Sequence, residues 1–126
     1  MEDVIFQFYI GDTYTRDFTI QGYTDNIDEV YFTIKKNDLD KRFLIQKTLD
    51  NGITLTDIQY DTDGETILSR TYNIFVDALD TEVLKPGIEY PMDIEIVTNK
   101  DNTEIKKTII KGNVVLNSAT TRVWDE

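Results

Sequence analysis

From Glu29 to Lys35 the chain alternates without a slip. Val30, Phe32 and Ile34 are apolar, and Glu29, Tyr31, Thr33 and Lys35 between them carry polar groups. Successive side chains of an extended strand point to opposite faces, so this spacing makes one buried face and one solvated face. A helix needs apolar positions three and four apart and cannot gather this pattern into one stripe. The same period of two returns along most of the chain. Val4, Phe6, Phe8 and Ile10 share a phase, as do Tyr14, Phe18 and Ile20. Tyr72, Ile74, Val76 and Ala78 follow, then Tyr90, Met92, Ile94 and Ile96, and finally Val114 and Leu116. A chain written this way folds as β-structure.

The alternation is cut by turn signals about every ten residues, the spacing of a sandwich or barrel. Gly11-Asp12, the polar run 21–26, the charged run 36–41 and Asp61-Thr62-Asp63-Gly64 all have turn composition. Asp50-Asn51-Gly52 predicts a hairpin, because Asn-Gly accepts positive φ at low cost. Asn99-Lys100-Asp101-Asn102 predicts another. Asp80-Thr81-Glu82-Val83-Leu84 can form one helical turn before Lys85-Pro86-Gly87 ends it. Pro91 predicts that the start of its strand lies at an edge or bulge, and Gly112 predicts a bulge in the last strand. The expectation is an all-β, immunoglobulin-like antiparallel β-sandwich of about eight or nine strands with at most one short helical turn. With 126 residues it makes a single domain, 1–117. Residues 118–126 lose the alternation and read as a C-terminal tail.

Two missing residue types remove much of catalytic chemistry. Without histidine there is no imidazole base, no Ser-His-Asp triad and no His metal ligand. Without cysteine there is no thiol nucleophile, disulfide or ordinary structural zinc site. The 24 acids against 13 bases give a net charge of −11, which opposes binding to a phosphate backbone or an anionic membrane. Neither nucleic acid nor membrane is therefore an expected partner. Met1-Glu2-Asp3 lacks the basic start of a secretory signal, and no apolar run approaches the ~20 residues that cross a bilayer. Synthesis in the bacterial cytoplasm without a signal peptide is expected.

The acids are the remaining candidates for a site. Asp57, Asp61, Asp63 and Glu65 crowd one loop, and Asp61-Thr62-Asp63-Gly64 has the look of an EF-hand centre. Setting Gly64 at loop position six, however, puts Gln59 at position one and Arg70 at position twelve, where a bidentate Glu is required. Asp17, Asp28, Glu29, Asp77, Asp93 and Glu95 fall on outward strand phases or beside turns, where nothing raises a carboxyl pKa for acid catalysis. No phosphate-binding glycine motif occurs. No cofactor, no metal site and no catalytic residue are expected, and the chain does not read as an enzyme.

Aromatic residues remain. Phe6, Phe8, Phe18, Phe32, Tyr72 and Tyr90 sit on core phases, whereas Tyr31 and Phe75 lie on the other phase. Exposed Tyr and Trp anchor protein interfaces and sugar-binding faces. Trp124 in the tail either folds back on its own domain or docks on a neighbour. The candidate interaction residues are Tyr9, Tyr31, Thr120, Arg122, Val123 and Trp124.

Gly11-Asp12-Thr13 with Phe18-Thr19-Ile20 is followed by Val30-Tyr31-Phe32-Thr33-Ile34-Lys35-Lys36. Leu84-Lys85-Pro86-Gly87-Ile88-Glu89-Tyr90 then leads into Asp93-Ile94-Glu95-Ile96. This order resembles the N-terminal domain of siphophage baseplate upper proteins and related small prophage structural proteins, over residues 11–116. The resemblance implies an immunoglobulin-like sandwich that serves as a virion building block, in the tail baseplate or as a head accessory or adaptor. Its implied partners are other virion proteins or copies of itself, and it carries over no catalytic residue. A ligand-binding sandwich for carbohydrate or calcium, using Tyr9, Tyr31 and Trp124 beside acidic loop tips, is the alternative.

Overall fold

The computed structural model describes residues 4–117 apart from 38 and 40. The tail expected at 118–126 lies outside the described residues. Eight strands and one short helix make up the fold. They are β1 (Val4–Tyr9), β2 (Tyr14–Gln21), β3 (Glu29–Lys35), β4 (Phe43–Leu49) and β5 (Gly52–Tyr60), then β6 (Ile67–Val76), a 3-10 helix (Ala78–Val83), β7 (Glu89–Lys100) and β8 (Thr103–Asn117). The strands join in one sheet, in the order β1-β8-β7-β3-β4-β5-β6-β2. The expected strand number and the single helical turn both agree with this.

The sheet curls until its two edges meet. β1 and β2 share no ladder among the described residues, yet the Phe6 and Tyr14 rings lie 5.7 Å apart and those of Phe8 and Tyr14 4.3 Å apart. The Arg16 guanidinium covers the Phe6 ring at 4.6 Å. The result is a nearly closed, barrel-like sheet rather than two plainly separate ones. Its interior is filled by the alternating apolar set. Phe6, Phe8, Phe18, Phe32, Tyr72 and Tyr90 are all buried, and they are joined by Ile34, Ile53, Ile74, Ile94 and Val114. Period-two patterning thus translates directly into the core.

Three local expectations are corrected. The sheet is not wholly antiparallel, since β1 pairs with β8 in parallel and β4 touches β5 in parallel. Asp50-Asn51-Gly52 does not make a hairpin. Asp50 and Gly52 take positive φ, 65° and 103°, with Asn51 between them outside that region. A two-residue hairpin of the favoured type would need consecutive positive φ. The chain instead turns a corner, and β4 and β5 then pair only through Thr48↔Gly52 and Leu49↔Ile53. A Cβ at Gly52 would stand 2.5 Å from the Lys47 side chain, so the corner excludes larger residues. Finally, Gly112 stays in register with both Met92 and Val4. The slip in β8 falls at Ile109, between the pairs Ile94↔Ile110 and Glu95↔Thr108.

Two other expectations agree with the fold. Asp101 and Asn102 take φ of 52° and 63° between the paired Lys100 and Thr103, a tight two-residue hairpin. Pro91 lies in an interior strand, but the β3 ladder ends one position before it, at Ile34↔Met92. The missing amide hydrogen leaves no gap in that ladder.

Candidate functional site

Tyr31 projects from the outer face of β3, opposite Thr48 on β4 and Glu95 on β7. Its hydroxyl donates to the Glu29 carboxylate. Glu29, Tyr31, Glu95, Glu104 and Lys106 line a shallow depression of about 190 Å³. The hydrogen bond to Glu29, desolvation, and the negative charges of Glu29, Glu104 and Glu95 together raise the Tyr31 pKa above its usual 10.0. The Lys106 ammonium sits 3.6 Å from Glu104. Among the described residues, no group of three or more acidic side chains is placed to hold a metal ion. The face can accept hydrogen bonds and repel anions, and its tyrosine is held protonated.

The acidic loop between β5 and β6 spends its carboxylates on its own backbone. Asp63 accepts from the amides of Glu65 and Thr66 at 2.8 Å each and from the Thr66 hydroxyl at 2.6 Å. The Thr66 hydroxyl, then the Thr66 and Glu65 amides, hold the Asp63 carboxyl below the usual carboxylate range. Asp61 caps the Thr62 amide at 2.6 Å, and Gln59 donates to Asp57 at 2.6 Å. These are turn-forming bonds.

Tyr9 stands at the far end of the molecule. It pairs with Asn117 of β8, whereas Tyr31 aligns through Glu95 with Thr108 of the same strand. At the rise of an extended strand that separates the two tyrosines by about 30 Å along β8. The structure therefore does not bring Tyr9 and Tyr31 into one row. Thr120, Arg122, Val123 and Trp124 lie outside the described residues.

The end that carries Tyr9 holds the more unusual surface. The Ile10 amide donates to the Asn117 carbonyl at 2.9 Å, and the Gly87 amide to the Leu116 carbonyl at 3.0 Å. These bonds tie the β1–β2 turn and the 3-10 segment to the end of β8. Between them lies an apolar groove of about 270 Å³, lined by Ile10, Leu79, Leu84, Pro86 and Leu116. Leu79 is 70% exposed, and Tyr9, Val83 and Ile88 in the same segments are each about half exposed. Contiguous exposed apolar surface of this kind is where protein contacts form. Sequence reasoning found Tyr9 here but missed Leu79, Val83 and Ile88. Their signal was an apolar residue set that fits neither strand nor helix period between Ala78 and Ile88.

No protein-family model matches the chain, and no curated protein does. Among solved structures, the chain is similar to AggA, the major subunit of aggregative adherence fimbriae type I from Escherichia coli. The identity is 13%, the TM-score 0.37, and the alignment covers 91% of this chain and 89% of that one.

Proposed function

We propose that this chain is a non-enzymatic structural protein of a phage or prophage virion, a tail baseplate or head accessory component that works by assembling with copies of itself or other subunits. The observation that carries the assembly reading is the apolar end around Leu79, Val83, Ile88 and Tyr9, on a chain of net charge −11. An acidic coat keeps the remaining surface solvated, and the apolar rim gains free energy when a neighbour covers it. Such a contact needs shape and apolar anchors and no reactive group. The virion setting rests on the turn-and-strand order from Gly11 to Leu116.

The finer fold reading belongs to the same proposal. On this reading β2-β6-β5 and β1-β8-β7-β3-β4 act as the two layers of a sandwich, and the two-pair β4–β5 corner of the single eight-stranded sheet is the seam between them. A first strand parallel to the last, together with the weak β4–β5 junction, supports immunoglobulin-like connectivity. The carbohydrate or calcium alternative is the weaker reading, because among the described residues Tyr9 and Tyr31 lie about 30 Å apart along β8.

Light scattering on a size-exclusion column tests the assembly reading. The expected result is a defined oligomer that Leu79→Asp with Val83→Asp converts to a folded monomer. A strictly monomeric wild type at high concentration that also stays unbound to purified virion particles overturns it. The virion setting is tested separately by mass spectrometry of particles purified from the source strain, in which this chain is expected as a stoichiometric component.

A further inference from the structure

β8 is a 15-residue strand, but β1 covers only its last six positions, from Gly112 to Asn117. Over residues 103–111 it pairs with β7 on one side. Among the described residues, no strand pairs with its other edge there. β2 is in the same position: β6 holds one edge, and the other carries no ladder among the described residues. The two open edges face each other across a groove of about 350 Å³, lined by residues 19–23 and 107–110.

The side chains at this groove have the character of a core left uncovered. Lys107 pairs with Ile96, which is fully buried, and Ile105 pairs with Thr98, which is also buried. Both positions therefore point to the inner side of the sheet, yet Ile105 is 42% exposed and Ile109 is only partly buried. Across the groove Ile20 is buried beside Tyr23, whose ring the Lys107 ammonium covers at 5.9 Å. An open strand edge with inward apolar residues is a template for an added strand.

Charge narrows the occupant. Lys106, Lys107 and Lys111 fall within six positions of one strand in a protein of net charge −11. Lys106 is held by Glu104 at 3.6 Å beside the outer acidic face, whereas the Lys107 ammonium lies over the Tyr23 ring at the groove itself. Edge lysines repel a strand of like charge and favour one bearing carboxylates.

We propose that the groove between β2 and the uncovered half of β8 receives an extended, carboxylate-bearing segment of a partner protein as an added strand. Main-chain hydrogen bonds to residues 103–111 hold it, apolar side chains meet Ile105 and Ile109, and an acidic one meets Lys107. This site stands apart from the apolar end around Leu79, and it does not depend on the virion reading.

The test uses a fluorescein-labelled nine-residue peptide of alternating Glu and Val, its Lys/Val counterpart, and a Glu/Val version N-methylated at alternate residues. Anisotropy is expected to show binding of the Glu/Val peptide alone, with amide exchange slowed at 103–111. The N-methylated peptide is expected not to bind, because it cannot pair its backbone. Reversing two lysines, Lys106→Glu with Lys107→Glu, is expected to weaken the Glu/Val peptide about tenfold or more and admit the Lys/Val peptide. If that variant unfolds, the N-methylated peptide on the unaltered chain still decides. Equal binding of both charge types, or no binding, overturns the proposal. So does protection, without peptide, of those amides in 103–111 that point away from β7: if it rises with chain concentration the occupant is a second copy, and if not it is the chain's own residues 1–3.

Discussion

Arg70 of β6, almost wholly buried, donates from Nη1 to the main-chain carbonyl of Tyr23 at 2.8 Å. Its Nη2 donates to the Asp25 carbonyl at the same distance. The Tyr23 hydroxyl meets Thr98 Oγ1 at 2.7 Å, and that hydroxyl donates to the Asn26 carbonyl at 2.8 Å. One cation and one threonine thus lace the whole β2–β3 connection across the end of the sheet. Guanidinium geometry suits two diverging carbonyls, which an ammonium cannot reach together.

Arg70→Met should therefore leave two carbonyls without their donor and cost about 3 kcal/mol in urea unfolding. Amide exchange should quicken across residues 23–28 more than in the β3–β7 ladder. Arg70→Lys should recover less than half of the loss.

The Lys47 ammonium reaches Asp80 Oδ2 at 2.8 Å and so pins the 3-10 helix to β4. The same oxygen accepts the Asp77 amide at 2.8 Å. Burial alone would raise the Asp80 pKa, but the Lys47 ammonium and the Asp77 amide outweigh it and hold it below the ordinary 3.8. A carboxyl depressed in the folded state contributes stability that is complete above the unfolded value and is lost as pH falls through the folded one. Asp80→Asn should lower stability by about 1 kcal/mol near pH 7, a figure kept small because both side chains are partly solvated. The gap between the two proteins should close below pH 3.8 in thermal melts.

Tyr31 offers an optical readout of the acidic face. Removing its carboxylate partner with Glu29→Gln takes away the hydrogen bond and one negative charge that keep the phenol protonated. Ultraviolet titration should show one tyrosine ionising at lower pH in the variant, while stability at pH 7 stays within about 0.5 kcal/mol.

Asn102 holds φ of 63° at the β7–β8 hairpin. Glycine adopts this region without the Cβ penalty and completes the favoured Asp-Gly pair. Asn102→Gly should raise stability by about 0.5 kcal/mol or leave it level, since the gain is set against a freer unfolded chain. Gly52→Ala runs the other way, with φ of 103° and a Cβ driven into Lys47. It should cost more than about 1 kcal/mol and weaken the Lys47–Asp80 pair as well.

What the sequence determined by itself is what depends on near neighbours. Val30, Phe32 and Ile34 are buried because alternate side chains of a strand share a face, whichever strands flank them. Asp101-Asn102 turns tightly because the local φ preferences of two residues suffice. The acid-rich loop at Asp63 closes on its own amides for the same reason.

Pairing between distant strands belonged to the tertiary structure. Asn51-Gly52 has hairpin composition, but β5 gains more by laying Ile53 and Leu55 against Ile74 and Tyr72 of β6, so the chain corners instead. The Ile109 slip arises because β8 must match β7 along its whole length and β1 at its end. Tyr9 and Tyr31 share an outward phase, yet only the register of β1, β8, β7 and β3 sets them at opposite ends. The apolar rim at Leu79 and the open edges of β2 and β8 are likewise products of which strands stop where. Local preference decides which way a side chain faces; the competition among long-range ladders decides what it meets.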